Sequence, residues 1–554
     1  MSVNSAVIRR CQNIILFGAA LITLIVTPAW NLDPINLPKY AVLLICSGAL
    51  AGYLLPTFKG LPRSVWVASS LFVVSLSSTL IFSGADFSNQ IFGTFGRNTG
   101  FLTYFALVIL FVSTVAVTRS GFSAKLVYYL LTIGLLMVLY GLVQWAELDP
   151  VNWNNPYNRI LGTLGNPNFT SAFLGIVSVA AVALLLDSVT QTALRMGLGA
   201  LVLLAIFLIL NSDATQGLFL VFSGTGILIY LKFVRFTGSK GLKLSYLASS
   251  LFVIFLGIQG LLQKGPLSSI LYQESVSYRG DYWRAGISMT LDEPFTGVGL
   301  DSYGDWYRSA RDQVAALRRG PDVVSNSAHN VFLDLSSNGG IPLLLSYLLI
   351  CALTVVSAVR LLKRETKYVG FSSALVVAWI GYVIQSIISI NQIGLAIWGW
   401  LLSGAIIGHD YYGNLQMEKI SPKQRATDFR RISPALLLTG TLGIVVASVP
   451  AYLPVAKDWN FKSALQSGDA EAIKSSALGY PASAYYLNYA GDVLQQNKLD
   501  DQALEMARKS IAINPRDFNG WKLLISNATL NESERQRAVA EMKKLDPFNN
   551  TLGQ

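Results

Sequence analysis

Long apolar runs recur along most of this chain and limit what it can fold into. About 13 of them approach the ~20 residues that an α-helix needs to cross the hydrocarbon core of a bilayer. A segment in lipid must satisfy its own backbone hydrogen bonds, so each run predicts a helix. Only 13% of the 554 residues are charged, against roughly 25% in a soluble domain. We therefore predict an all-α polytopic membrane protein, with spans at 12–30, 38–56, 65–83, 100–117, 125–147, 167–186, 194–210, 215–234, 245–262, 340–359, 369–388, 391–408 and 434–453.

Basic residues are concentrated in alternate connections between these spans. If Met1 is cytoplasmic, the connections rich in lysine and arginine fall inside, as the positive-inside rule requires; they lie near 59–63, 119–125, 187–195, 232–243, 360–367 and 419–431. The remaining long connections, at 84–99, 148–166 and 263–329, are then outside, together with everything after Pro454. The net charge of +11 thus reflects membrane orientation, and no nucleic-acid partner is predicted.

The first span and the cysteines add two expectations about processing and metals. Arg9 and Arg10 precede the first apolar run, and no small-residue cleavage pattern follows it, so we predict a retained helix that directs insertion. Cys11, Cys46 and Cys351 show no paired spacing. They indicate neither a disulfide framework nor a metal site.

The sequence changes character near residue 455 and becomes charged and alanine-rich. The segment from Ala484 to Pro515 resembles a tetratricopeptide repeat, and a weaker copy ends at Pro547, 32 residues later, close to the ~34-residue period of such repeats. We therefore divide the chain into a membrane core at 1–433, a final span at 434–454 and an extracytoplasmic helical tail at 455–554. Stacked repeats of this kind offer a groove for a protein partner, and a generic helical tail remains the alternative.

The predicted outer connections contain many arginines and one of the two histidines of the chain. A guanidinium engages two phosphate oxygens at once and keeps its proton, which suits a diphosphate ligand. The alternative is that an arginine reaches out to lipid phosphates, and we favour that alternative for Arg308, Arg311, Arg318 and Arg319. The others are Arg97, Arg159, Arg279 and Arg284.

Three short motifs stand close together around the long outer connection. Arg279 and Trp283 are four residues apart, a spacing that places both on one face of a helix. Pro294-Phe-Thr-Gly-Val-Gly299 predicts a sharp turn. His329-Asn330 precedes the next span, and that span begins with a Gly340-Ile-Pro sequence.

Together these motifs resemble the signature of the O-antigen ligase and polymerase superfamily. The resemblance covers about 80–410 and excludes the tail; Arg97-x2-Gly100 and Gly162-Thr-Leu-Gly-Asn-Pro-Asn168 are similar to further motifs of relatives. It implies a membrane glycosyltransferase with a GT-C-like helical core in the bacterial cytoplasmic membrane. Its donor would be a glycan on undecaprenyl diphosphate and its acceptor a glycan, lipid or protein outside that membrane. It implies no metal and no other cofactor.

The same resemblance assigns roles to individual residues. It implies that Arg279 binds the donor diphosphate and that His329 activates the acceptor hydroxyl. A second family arginine is absent, because Thr215 or Gln216 stands where it is expected, and an acidic residue common nine positions after the histidine is Asn338 here. Arg97 or Arg159 would replace the missing charge. The predicted substrate-binding residues are Arg97, Arg159, Asn166, Asn168, Gln216, Trp283 and Asn330.

Apart from any family, transfer from a lipid diphosphate needs a base and cations on one side of the membrane. Ser325-Asn-Ser327 is able to cap a helix from Ala328, which would place His329 in the first turn, where the helix dipole favours neutral imidazole. Asp334 and Asn338 either hold sugar hydroxyls or cap backbone groups. His409 lies at the predicted inner end of its span and is excluded from the outer site.

Two other classes of function are compatible with parts of the sequence. A transporter or flippase of lipid-linked glycans would also have many spans with few charges, but its charges should lie near mid-membrane. Here the arginines fall in the outer connections, which favours extracytoplasmic chemistry. An assembly platform built on the repeats would leave the Arg279 and His329 motifs unexplained.

Overall fold

The computed structural model describes residues 5–54, 60–118, 121–153, 160–271, 274–418 and 433–552, which form helices and no strand. The helices are α1 Ser5–Leu24, α2 Asn36–Leu54, α3 Arg63–Phe82, α4 Phe87–Phe92, α5 Phe101–Val117, α6 Phe122–Trp145, α7 Pro167–Leu185, α8 Thr192–Asn211, α9 Gln216–Ile229, α10 Lys240–Leu261, α11 Ser268–Leu271, α12 Glu274–Asp292, α13 Tyr303–Ala310, α14 Gln313–Arg319, α15 Val331–Arg364, α16 Gly370–Ile388, α17 Ile393–Glu418, α18 Pro434–Ser467, α19 Ala470–Leu478, α20 Ala484–Gln496, α21 Asp500–Ile513, α22 Phe518–Ser526 and α23 Glu532–Leu545.

The helices confirm the predicted membrane fold. Within the described ranges, twelve helices are long and apolar enough to cross a membrane, and α5 is a shorter apolar helix. Each predicted span overlaps one of these thirteen helices. Helix α15 begins at Val331, but it has a non-helical break at Gly340, where the predicted span begins. The largest differences are extensions: α17 continues to Glu418 instead of ending near 408, and α18 continues to Ser467 instead of ending near 453. Both extensions are polar sequence outside the apolar run, where periodicity of hydrophobic residues gives little signal.

Helix α18 packs against α2 through glycines. A Cβ atom on Gly48 would lie 2.4 Å from the carbonyl oxygen of Gly443, and one on Gly443 would lie 2.1 Å from that of Gly48. Gly52 makes the same kind of backbone contact with Thr439. Small residues let membrane helices approach closely, and van der Waals packing then holds them together. The second and the last of the described spans are therefore neighbours.

Pro454 lies inside α18 and does not end it. Proline has no N–H, so the carbonyl of Pro450, four residues earlier, loses its usual helical partner. The Tyr40 hydroxyl of α2 donates a hydrogen bond to that carbonyl at 3.2 Å. A neighbouring side chain thus supplies the missing donor, as membrane helices with internal proline require, and α18 runs unbroken from the membrane into the tail.

The tail packs on the end of the bundle that carries α4 and α12 to α14, which we call the outer face. The Phe95 ring stacks on Tyr485 with ring centres 3.8 Å apart and planes at 8°. The backbone N–H of Leu32 donates to buried Asp458 at 2.7 Å. The helices of the tail also pack against one another in chain order. The tail and the outer connections therefore form one assembly.

Candidate functional site

His329 lies immediately before α15 and not in its first turn as predicted. Asn330 is the N-cap, and its side-chain oxygen accepts from the N–H groups of Phe332 at 3.0 Å and Leu333 at 3.2 Å. His329 has φ +51°, a left-handed conformation that histidine adopts more readily than most residues. The prediction failed because asparagine at 330 caps the helix in place of Ser327. The imidazole still lies beside the positive end of α15.

A buried carboxylate fixes the backbone around His329. The Ser327 hydroxyl accepts the His329 N–H at 2.9 Å and lies 3.3 Å from Asp334 Oδ2, to which it donates. The N–H of Ala328 donates to Asp334 Oδ1 at 2.8 Å. Asp334 is 3% exposed, so these bonds are shielded from water and hold the loop firmly. Asp334 was predicted either to hold sugar hydroxyls or to cap backbone groups, and in the structure it caps backbone groups.

Arg97 lies in the same buried network. Its Nε is 3.2 Å from Asp301 Oδ1 and its Nη2 is 3.9 Å from Asp334 Oδ2. Nη1 donates to the carbonyl of Asn326, in the loop that leads to His329. With 7% of its surface exposed, this guanidinium is directed at the protein. It connects the segment before α5 to the His329 loop.

Asp301 organises this network and was not predicted. It adopts a left-handed conformation with φ +56° and accepts hydrogen bonds from the N–H of Thr94 at 2.8 Å and from the hydroxyl of Thr99 at 2.9 Å. Its position directly after the Gly-x-Gly turn was the available signal. No sequence spacing connects it to Arg97, about 200 residues earlier, because only tertiary packing brings the two together.

Helix α12 covers the His329 loop and brings Arg279 to it. The Tyr282 ring stacks on the His329 ring, with centres 5.2 Å apart and planes at 28°. A Cβ on Gly286 would come within 3.5 Å of the Ala328 Cβ, so glycine permits the close packing. Arg279 lies one helical turn before Tyr282. Arg279 and Trp283 therefore lie on the helix whose Tyr282 contacts His329, and Tyr282 is the residue of this contact that was not predicted.

The Arg279 guanidinium makes no hydrogen bond or ion pair with any described residue. Burial lowers its pKa from the usual value, although arginine stays protonated in proteins. The indole N–H of Trp283, on the same face of α12, is also buried without an acceptor. A partly buried cation and an adjacent unpaired donor form a suitable site for an anion.

The glycine motifs pack against each other. Gly297 has φ +62°, and a Cβ there would lie 2.4 Å from the backbone of Asn338 and Gly339; Gly340 has φ +72° and faces Pro294 and Phe295 in the same way. The N–H of Val298 donates to the Ser337 carbonyl at 2.8 Å. The contact between these two segments, which are about 40 residues apart in the sequence, therefore requires glycine on both sides.

Asn338 has a capping role. Its side-chain oxygen accepts from the N–H groups of Ser302 and Tyr303, both at 2.9 Å, at the start of α13. Its amide donates to the Asp334 carbonyl at 2.8 Å. A carboxylate at this position would accept the same two hydrogen bonds but could not donate the third. The hydrogen bonds around position 338 therefore explain why it is asparagine.

The other predicted binding residues lie in separate places. Asn166 caps α7 by accepting the Asn168 N–H at 2.8 Å, and Asn168 is exposed. Gln216 is buried beside Gln385, with Nε2 to Oε1 at 3.2 Å, and its own oxygen has no partner. Arg159 lies outside the described residues. None of these contacts Arg279 or His329 in the described part of the chain.

The remaining outer arginines that the structure describes pair with carboxylates instead of reaching outward. Arg308 and Arg311 both bind Asp546 of the tail, at 2.9 and 2.7 Å. Arg284 and Arg318 both bind Asp281, at 2.7 and 3.1 Å. The interpretation of these residues as lipid-phosphate ligands was wrong for Arg308 and Arg311, because buried acidic partners lie within reach; the side chain of Arg319 is outside the described part.

The second histidine and the acidic residues add no further centre at this face. His409 Nδ1 lies 2.9 Å from the Ser123 hydroxyl, at the opposite end of the bundle, beside the pair of Arg364 with Asp410. In the described residues, no group of three His, Cys, Asp or Glu side chains is placed to hold a metal ion. Arg279 and His329 are therefore the candidate groups for catalysis at this face.

The fold and the site define a polytopic membrane protein in which helix α12 carries an arginine with no ion pair among the described residues and packs on a histidine. A family model described as O-antigen ligase matches residues 168–348, a range that runs from α7 into α15 and includes Arg279 and His329. The match supports membership of the O-antigen ligase family and a membrane ligase of the glycosyltransferase type. No curated protein matches the chain.

Proposed function

We propose that this protein transfers a glycan from an undecaprenyl-diphosphate donor to a hydroxyl acceptor at the outer face. The observation that carries the proposal is the Arg279 guanidinium, which is partly buried, makes no hydrogen bond or ion pair with any described residue and lies on the helix that packs over His329. The match to the O-antigen ligase model supports the same class of reaction.

The proposed step assigns one task to each residue. His329 takes the proton of the acceptor hydroxyl as its oxygen forms a bond to the anomeric carbon of the donor glycan. The bond from that carbon to the diphosphate oxygen breaks, and the electron pair leaves with the diphosphate. Arg279 stabilises the negative charge that develops there. The proton on His329 then passes to solvent or to the released diphosphate.

We assign Arg97 to positioning and not to direct binding of the diphosphate. Its donors are already directed at Asp301, Asp334 and the Asn326 carbonyl. Asn330 likewise uses its side-chain oxygen as a helix cap. Gln216 keeps an unpaired oxygen and Asn168 is exposed, so these remain available for polar contacts with the glycan.

The test replaces Arg279 by lysine in protein reconstituted in nanodiscs with lipid-linked donor from the native cells. Arg279→Lys should fail almost as badly as Arg279→Ala, because charge without a bidentate fork does not hold a diphosphate. Arg284→Lys on the same helix is the matched control and should stay near wild type, because Arg284 is itself half-exposed and buried Asp281 keeps Arg318 as a second partner. A fully active Arg279→Lys would refute the assignment.

His329→Ala separates transfer from transport and from binding. It should lose about 10²- to 10⁴-fold in transfer rate and still bind the lipid-linked donor. A transporter would move the donor across the bilayer at normal rate in this variant and show no transfer even in the wild type. Transfer within a few-fold of wild type by His329→Ala would show that another group is the base.

A further inference from the structure

A cavity of ≈590 Å³ lies between the tail and the outer connection that contains α4. This volume falls in the range of about 300–1,000 Å³ that is common for small-molecule sites. Its tail side is one face of α20, formed by Tyr485, Asn488, Tyr489 and Asp492, at the i, i+3, i+4 and i+7 spacing of one helical face. We call this space the tail cavity. Neither Arg279 nor His329 lines it.

Aromatic rings form one wall of the tail cavity. Tyr485 is held flat against Phe95 and is 37% exposed, while Tyr489 touches Phe461 edge-on and is 40% exposed. Phe92 also lines the cavity. Rigid rings that remain partly exposed offer apolar faces with a polar hydroxyl tip. The C–H faces of pyranose rings pack well on such surfaces.

Amide oxygens without a hydrogen-bond partner among the described residues lie on both sides of the tail cavity. Asn98 is 3% exposed and its Oδ1 has no hydrogen-bond partner. Asn488 donates to Asp517 at 2.7 Å, and its Oδ1 is also buried without a partner. A buried polar atom without a partner costs about 1–3 kcal/mol. Among the described residues neither oxygen has a donor, so each is a candidate acceptor for a ligand hydroxyl at this cavity.

The charges of the tail cavity are mostly used within the protein. Asp305 accepts from Asn514 at 2.9 Å, Asp517 from Ser510 at 2.6 Å, and Asp86 caps α4. Lys457 donates to three backbone carbonyls. Asp492 and Lys522 are exposed and offset each other. The cavity therefore lacks an excess of cations for a diphosphate and presents hydrogen-bonding groups suited to an uncharged ligand.

One short segment separates the tail cavity from the His329 loop. Phe95 and Asn98 face the cavity, whereas Arg97 between them reaches the Asn326 carbonyl and Asp334 on the other side. A glycan chain whose reacting end lies at His329 would therefore have further sugar units within reach of the cavity.

We propose that the tail cavity binds uncharged sugar units of a glycan at a distance from the reacting bond. The residues of the cavity walls support sugar binding by themselves, whereas the source of the glycan rests on the proposed function. Both the donor chain and a glycan acceptor have this chemistry. The tail would then contribute to substrate selection as part of the enzyme.

The experiment uses the full chain in nanodiscs and two lipid-free oligosaccharides from the native cells. One is released by mild acid from the lipid-linked donor, and the other is taken from acceptor collected when donor synthesis is blocked. Hydrogen–deuterium exchange should show saturable protection of 84–98 and 484–492 by one of them, which identifies the source. Protection by neither, or only by a lysine-rich peptide, would overturn the proposal.

Tyr489→Ala should weaken that binding about tenfold, since one aromatic contact is lost. Phe548→Ala is the matched control, because Phe548 is 39% exposed on the tail and does not line the cavity. Asp492→Asn, at an exposed position, provides a second variant with little effect on folding and should also weaken binding. Unchanged binding in both Tyr489→Ala and Asp492→Asn would refute the proposal.

The two proposals fail in different ways. His329→Ala should keep oligosaccharide binding and lose transfer. Wild-type protein that binds the oligosaccharide but never transfers it would overturn the proposed function and leave the tail cavity intact as a glycan site. Normal transfer without protection of 84–98 and 484–492 would overturn only the tail-cavity proposal.

Discussion

At the scale of single residues, an aromatic contact supports the position of the His329 ring. Its backbone is fixed by Ser327 and Asp334, but the ring itself is stacked against Tyr282 at 5.2 Å. A base that moves by about 1 Å loses on the order of 10²-fold in rate. Tyr282 is therefore a positioning residue for the proposed base.

Tyr282→Ala should lower kcat by about 10- to 100-fold, because the imidazole loses its stacking partner. Tyr282→Phe keeps the ring and should restore most of the rate. The measurements are kcat, KM and the pH profile of transfer in nanodiscs. A loss confined to KM, or an alanine variant as active as wild type, would contradict the positioning role.

The sequence predicted some of these residues and could not predict others. Arg279, Trp283, His329 and Asn330 lie in short motifs, so local sequence was enough to select them, whereas the packing of α12 on the His329 loop is a tertiary contact. Asp301 and Tyr282 belong to no such spacing. The partners of Arg97 are set by packing between distant segments, and this explains why we predicted Arg97 as a diphosphate ligand when its donors are directed at the protein.

At the scale of secondary-structure elements, a buried ion cluster joins the end of α13 to the end of α23. Asp546 and Arg311 have 0% of their side-chain surface exposed, and Arg308 has 11%. Removal of one partner from such a cluster leaves uncompensated charge and costs about 3–5 kcal/mol. The tail therefore stabilises the outer connection that precedes His329.

Asp546→Ala should open this contact and speed tryptic cleavage after Arg308 and Arg311 by roughly 100-fold or more. Glu541→Ala is the matched control on α23, because Glu541 forms an exposed pair with Lys544 that contributes about 0–1 kcal/mol. Cleavage is followed by mass spectrometry in nanodiscs. Equal cleavage rates in the two variants would show that the cluster does not hold the tail in place.

Element boundaries show what apolar runs can and cannot predict. The spans were located because hydrophobic length is read directly from sequence. The start of α15 was misplaced because Asn330, and not Ser327, supplies the cap. The continuation of α18 through Pro454 depends on the Tyr40 hydroxyl of another helix, which no local rule reveals.

At the scale of the whole molecule, the alternation of basic connections fixes the orientation that we propose. The tail, α4 and α12 to α14 share one face. The connections rich in lysine and arginine join helix ends that do not belong to this face. From the positive-inside rule we propose that the shared face is extracytoplasmic. The docking of the tail on that face could not be predicted from sequence, since it depends on contacts such as that between Phe95 and Tyr485.

Asn497→Cys should react with an impermeant thiol reagent in intact spheroplasts, because Asn497 is an exposed residue of the tail. Lys367→Cys, in a basic connection, should react only after the membrane is broken. The natural chain provides the background, with Cys11 buried and Cys46 and Cys351 within spans. Labelling of Lys367→Cys but not of Asn497→Cys in intact spheroplasts would reverse the orientation.

The glycine contact between α2 and α18 also has a consequence for how the protein is made. Gly48 emerges from the ribosome long before Gly443, and until then the glycine face of α2 has no partner. Helix α18 is the last described span in chain order and carries the tail on the same helix. The outer assembly can therefore mature only late in translation, and a nascent chain that stalls before α18 would be recognisable to membrane quality control by that bare glycine face.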